Sequence, residues 1–197
     1  MPHHDHQSDL ELSRRDALKL AVGVGAAVMI PLVPADVAEA AQKAVASGKP
    51  AALKFFTVAQ HRAVDALTEV IIPTDERSPG ARAAKVADYL DFILNEASVE
   101  AKQAWKDGLT ALDAASTTQF SQAFADLTGE QQVAIVTEAA KDEANPTTPL
   151  AMFFREAKGR TIHGYYTSEI GIHQELKYKG NQFLPEFVGC DHPEHMS

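Results

Sequence analysis

The sequence predicts an all-α fold, a compact helical domain of about five or six helices with an irregular, aromatic-rich C-terminal segment. Three observations carry that class. Apolar residues recur at helical spacing, as in Val64, Leu67, Val70 and Ile71. Helix-start signals stand ahead of several such runs: Thr57 with Gln60, Ser98, Thr128 with Gln131, and Thr148 before Pro149. No stretch sustains the period-2 alternation of β-branched residues that a strand requires.

The elements follow in order. Thr57 and Gln60 form a capping box, in which each side chain satisfies a free backbone N–H of the other's residue. The helix after it ends at Pro73, which has no N–H and restricts the residue before it. A Pro/Gly/Asp-rich connection follows, Ile71-Ile72-Pro73-Thr74-Asp75-Glu76-Arg77-Ser78-Pro79-Gly80-Ala81. Val86, Tyr89, Leu90, Ile93 and Leu94 mark a second helix. Ser98 caps a third, carrying Trp105, Leu109 and Leu112 on one side. Phe120, Phe124 and Leu127 suggest a short fourth. Thr128 and Gln131 box the start of the next, with Val133, Ile135 and Val136. Thr148-Pro149 sets an N-cap and a proline at the first helical position, ahead of Phe153, Phe154, Ala157 and Ile162. From Gly164 onward, Gly, Tyr, Phe and Pro replace the helical pattern. Such a stretch either wraps back on its own helices or forms a partner surface. Tyr165, Tyr166, Phe183 and Phe187 are the candidate contact residues.

The first forty residues differ in kind. Ser13-Arg14-Arg15-Asp16-Ala17-Leu18-Lys19 resembles the twin-arginine export consensus S-R-R-x-F-L-K, with Ala17 where Phe is usual. Its consensus positions here are Ser13, Arg14, Arg15, Leu18 and Lys19. The apolar run Leu20 to Val33 is 14 residues long, against the roughly 20 that a membrane span needs. It therefore reads as the core of a signal peptide. Ala38-Glu39-Ala40 supplies an A-x-A cleavage signal, so cleavage is expected after Ala40. The alternatives are an uncleaved anchor, or an Arg pair ahead of a short core helix. The expected organisation is a signal peptide at 1–40, a linker at 41–54 and a helical domain at 55–197. Export by the twin-arginine pathway places the chain in the periplasm or on the periplasmic face of the inner membrane.

Composition narrows the chemistry. The 197 residues carry 18 Lys+Arg and 27 Asp+Glu, a formal net charge of -9. Residues 1–40 hold three of the bases and six of the acids, so the remainder carries -6. This acidic balance argues against nucleic acid as a partner, because phosphate recognition needs a basic face. The single cysteine rules out an internal disulfide, a CxxCH haem attachment and a Cys-ligated iron–sulfur cluster. Gly23-Val24-Gly25-Ala26-Ala27-Val28 imitates a dinucleotide fingerprint. It lacks the strand before it and the third small residue, so no bound FAD or NAD is expected in this chain. Neither a G-x-S-x-G elbow nor HExxH occurs. Glu169, Glu175 and Glu186 have no spacing that supports acid–base work, so no catalytic residue is assigned. Cys190, His192 and His195 are metal-ligand types, but C-x-H-x-x-H lacks a fourth ligand at ordinary spacing. Packing of Cys190 is the favoured reading, and no metal is expected.

Several motifs together resemble the gluconate 2-dehydrogenase subunit 3 family, the small or gamma subunit. They are the opening helix with Ile71-Ile72-Pro73-Thr74-Asp75 and Ser78-Pro79-Gly80-Ala81, then Gly164-Tyr165-Tyr166-Thr167 and Glu169-Ile170-Gly171. Tyr178-x-Gly180-Asn181 and the closing Gly189-Cys190-x-His192-Pro193-Glu194-His195 complete the set. The resemblance spans Phe55 to His195. It implies a non-catalytic partner of a large FAD-containing flavoprotein of the glucose–methanol–choline (GMC) type that oxidises a sugar or sugar acid. It further implies a cytochrome c subunit as onward electron acceptor, and a role as export escort and maturation partner. The alternative is a stand-alone periplasmic enzyme or metal-binding protein using Cys190, His192 and His195.

Overall fold

The computed structural model describes residues 33–47 and 52–181. Among them lie six α-helices and no strand: α1 (Ala35–Ala46), α2 (Val58–Ile71), α3 (Val86–Glu96), α4 (Val99–Phe120), α5 (Gly129–Ala140) and α6 (Pro149–Tyr166). The all-α class is as expected. No helix among the described residues is long and apolar enough to cross a membrane.

Four helix starts form at the sequence signals. Thr57 Oγ1 accepts from Gln60 N–H while Gln60 Oε1 accepts from Thr57 N–H. Thr128 and Gln131 repeat the exchange ahead of α5. Ser98 Oγ accepts from Ala101 N–H, and Thr148 Oγ1 from Ala151 N–H. Each such cap is worth about 1 kcal/mol, because it satisfies a donor that the helix leaves free. Pro73 follows α2 closely, and the Ile72 N–H closes that helix onto Thr68 O.

Helix α6 is central, with α2, α3, α4 and α5 all packed against it. It buries Phe153, Phe154, Ala157, Thr161, Gly164 and Tyr165, a stripe broad enough to face several neighbours. Val64, Leu67, Leu90, Leu94, Trp105, Leu112, Phe124 and Ile135 fill the spaces between. Burial of each large apolar side chain stabilises the fold by about 1.5–3 kcal/mol. Trp105 meets Phe153 edge-on, with ring centroids 5.4 Å apart. Gly108, one turn further along α4, lets Phe153 sit against the helix backbone. A Cβ there would lie 2.1 Å from Phe153 Cδ2.

Three expectations change. Residues 41–46 of the expected linker belong to α1, whose Ala41 is fully buried. The short fourth helix does not form as a unit: Phe120 is the last residue of α4, and Phe124–Asp126 make one tight turn. Ser121 separates them in the left-handed conformation, at φ 59°. The third is the start of the irregular segment, because α6 continues through Gly164, Tyr165 and Tyr166. After it, Ile170–Glu175 form a widened helical turn closed by Leu176 N–H on Gly171 O at 3.0 Å.

Candidate partner-binding site

Three of the sequence motifs meet at one end of α6. The connection between α2 and α3 folds around the Glu69 carboxylate. Glu69 Oε1 accepts from Thr74 N–H and Thr74 Oγ1 at 3.0 Å, and Oε2 accepts from Arg82 N–H at 2.8 Å. Thr74 Oγ1 in turn accepts from Gly80 N–H at 2.9 Å. A Cβ on Gly80 would lie 2.5 Å from Glu69 Oε1 and 2.6 Å from Thr74 N, so glycine is required by close approach. Asp75 Oδ1 caps the inner turn by accepting from Arg77 and Ser78 N–H.

Tyr165 ties this loop to α6. Its hydroxyl donates to Pro79 O at 2.6 Å and meets Ser78 Oγ at 2.8 Å. The residue is fully buried. Gly164 gives the clearance that α3 needs: a Cβ there would be 2.8 Å from Tyr89 Cδ1. Gly171 serves the widened turn in the same way, since a Cβ would stand 2.1 Å from Tyr165 O. Ser168 Oγ donates to Tyr165 O and accepts from Gly171 N–H. The loop motif and the motifs at 164–167 and 169–171 thus form one backbone-capped knot.

The candidate contact residues separate accordingly. Tyr165 is corrected from partner surface to core, because its ring and hydroxyl are used within the chain. Tyr166 is half-buried and meets Tyr165 edge-on at 5.2 Å. Phe183 and Phe187 lie outside the described residues, as do Cys190, His192 and His195 and the export-signal positions Ser13, Arg14, Arg15, Leu18 and Lys19. Ala38 and Ala40 lie within α1. Beyond the knot, Leu176 and Tyr178 are 57% and 50% exposed, an apolar pair at the foot of the C-terminal segment. Tyr178 donates to Asn181 Oδ1 at 2.6 Å, and Gly180 adopts φ 91°.

Several residues that hold this architecture carried no signal in the spacing. Asp91 is buried within α3 and accepts from the N–H groups of Lys54, Phe55 and Phe56 at 2.7–2.9 Å. It anchors the chain as it approaches α2. An acid between Leu90 and Phe92 on an apolar helix was the available clue. Lys158, also buried, pairs with Glu143 at 2.8 Å, joining α6 to the loop before it. His61 Nε2 lies 2.8 Å from Asp88 Oδ1. That hydrogen bond raises the imidazole above its ordinary value, against partial burial, with the charges of Asp88, Asp65 and Asp91 adding to it. His163 Nδ1 meets Tyr89 Oη at 3.2 Å. Burial first, and then the Arg160 charge, holds His163 below its ordinary value.

Among the described residues, no group of three or more His, Cys, Asp and Glu is placed to hold a metal ion. Glu169 is exposed and Glu175 half-buried in the turn after α6, and Glu186 lies outside the described residues. What this arrangement does chemically is fix backbone: carboxylates and hydroxyls satisfy amides, and glycines admit close contact.

The fold and this knot define an all-helical domain whose motif residues fix the α2–α3 connection against the end of α6. A family model described as gluconate 2-dehydrogenase subunit 3 matches residues 59–185, and the chain belongs to that family. Comparison with curated proteins gave no match, nor did comparison with solved structures.

Proposed function

We propose that this chain is the non-catalytic small subunit of a periplasmic, FAD-dependent dehydrogenase of the GMC type acting on a sugar or sugar acid. It carries the export signal, escorts the folded flavoprotein through the twin-arginine translocase and stabilises its flavin-loaded form. FAD belongs to the large subunit, and a cytochrome c subunit takes the electrons onward. The observation that carries this reading is the family match over 59–185. The Arg14-Arg15 pair ahead of an apolar run supports the escort role. The buried motif residues are consistent with it, since they serve shape and not chemistry.

The test uses the double variant Arg14→Lys, Arg15→Lys. Charge is kept, but lysine does not reproduce the planar guanidinium fork. The expected result is a flavoprotein retained in the cytoplasm, read by cell fractionation and flavin fluorescence. Normal export of the large subunit with this variant, or with the chain deleted, refutes the escort role.

A further inference from the structure

The Ala38-Glu39-Ala40 signal lies in the middle of α1, which begins before it at Ala35 and runs beyond it to Ala46. Around the bond between Ala40 and Ala41 the helix is held on two sides. On the inner side Ala41 is 0% exposed, and Val33, ahead of the helix, is 6% exposed in the same core. Gln42 Nε2 donates to Gly164 O and to Thr167 Oγ1, each at 2.9 Å. These acceptors lie at the last turn of α6, next to the Tyr165 knot. On the outer side Glu39 and Lys43 pair at 2.6 Å, one turn apart across the bond. Helix α1 also packs along α3.

Proteolysis concentrates at exposed, poorly hydrogen-bonded backbone, and a regular element is cut only after it opens locally. For the bond after Ala40 to be cut, α1 must release Gln42 from α6, withdraw Ala41 from the core and unwind. The family match covers residues 59–185, so α1 lies outside the matched region yet packs on it as a structural part of the domain.

We propose that α1 is a permanent element of the mature domain. The bond between Ala40 and Ala41 stays intact in the folded protein, and any processing of the leader falls at or before Val33. The processing half of this proposal rests on the export reading above. The docking half stands on the contacts of Ala41 and Gln42 alone.

Two measurements on the full chain test the two halves separately. The first is the N-terminal sequence and intact mass of the chain recovered from the exported fraction of its native cell. An N-terminus at or before Val33 is expected, and one at Ala41, or anywhere beyond Val33, overturns the proposal. The second is amide hydrogen exchange of the purified full-length chain, wild type against Gln42→Ala. Protection within α1 is expected in the wild type, falling by about tenfold in the variant as two hydrogen bonds to α6 are lost, while α5 stays unchanged. Alanine is the better helix former, so a merely local helix would gain protection in the variant. Exchange at the free-peptide rate in the wild type, or protection unchanged or increased by Gln42→Ala, overturns the docking. A chain that is never exported refutes the export reading, and the exchange result still decides whether α1 is part of the domain.

Discussion

Two glycines on this chain answer the same substitution in opposite ways. Gly108 lies in the interior of α4, where alanine would ordinarily gain about 1 kcal/mol of helix propensity. Here the added carbon would meet Cδ2, Cγ and Cβ of Phe153 at 2.1–2.8 Å, a side chain whose ring is already fixed edge-on against Trp105. Gly108→Ala is therefore expected to lower stability by about 1–3 kcal/mol, the usual range for an overfilled core. Gly129, the first residue of α5, has nothing within 4 Å of its would-be Cβ. Gly129→Ala is expected to raise stability by about 0.4–1 kcal/mol, through lower entropy of the unfolded chain. Denaturant midpoints at a fixed m-value measure both. Tyr165 gives a third residue-scale outcome. Tyr165→Phe keeps the ring but removes the hydroxyl that holds Pro79 O and Ser78 Oγ in a buried setting. A loss of about 1–3 kcal/mol is expected, with proteolysis of the 72–85 loop as a second readout. The sequence marks Tyr165 as one of several clustered aromatics. Its partners stand 86 and 87 residues away, so its direction was not readable from spacing.

At the scale of the element, four of the six helix starts were legible, and of the helix ends chiefly that of α2 before Pro73. A cap is a local exchange between a side chain and a backbone three residues on, as at Thr57, Ser98, Thr128 and Thr148. Helix continuation depends on what the far side of the chain offers. Helix α6 runs on through Gly164-Tyr165-Tyr166, against propensity, because Tyr89 fills the space that Gly164 leaves and the loop receives Tyr165. Helix α4 runs to Phe120 and stops at a left-handed Ser121 with no glycine or proline to announce it. The contact between α2 and α3 yields a pH prediction. His61 on α2 is raised above about 6.5 by Asp88 on α3. Its stabilising pairing is therefore fully present below that pH and is lost as pH rises through the raised value. His163 on α6 runs the other way: it is held low by burial and Arg160, so stability present above about 6.5 is lost as pH falls from there through the lowered value. His61→Gln is expected to be destabilised relative to wild type in mildly acidic solution. The difference should shrink above neutrality, as read by denaturant midpoints from about pH 5.5 to 9. A difference independent of pH would show that His61 acts through packing alone.

At the scale of the whole molecule, the class and the family were readable, because helical periodicity and short motifs survive in one dimension. The division of the aromatic residues between core and surface was not, because it is decided by which helices meet. Of the four expected contact residues, Tyr165 is core and Tyr166 lies half-covered against it. Under the proposed function, the partner surface is therefore expected in the chain beyond the widened turn, where Leu176 and Tyr178 stand exposed and the sequence continues with Phe183 and Phe187. The helical core and the Tyr165 knot use only residues up to Gly171. Ending the chain after Asn181 therefore leaves every hydrogen bond of the knot described above in place while removing Phe183 and Phe187. The expected result, given the proposed function, is a domain with unchanged helix content by circular dichroism that fails to form the 1:1 pair with the large flavoprotein expected of the full chain. A permanent pair buries about 2,000 Å² or more, so loss of a contributing segment should be visible by size exclusion. It should also appear as reduced flavin content of the large subunit when the two are made together. If the shortened chain still yields a soluble, flavin-loaded and active large subunit, the C-terminal segment is not the contact. The helix surfaces that carry Val58, Val99 and Met152, each more than half exposed, would then be the next to test.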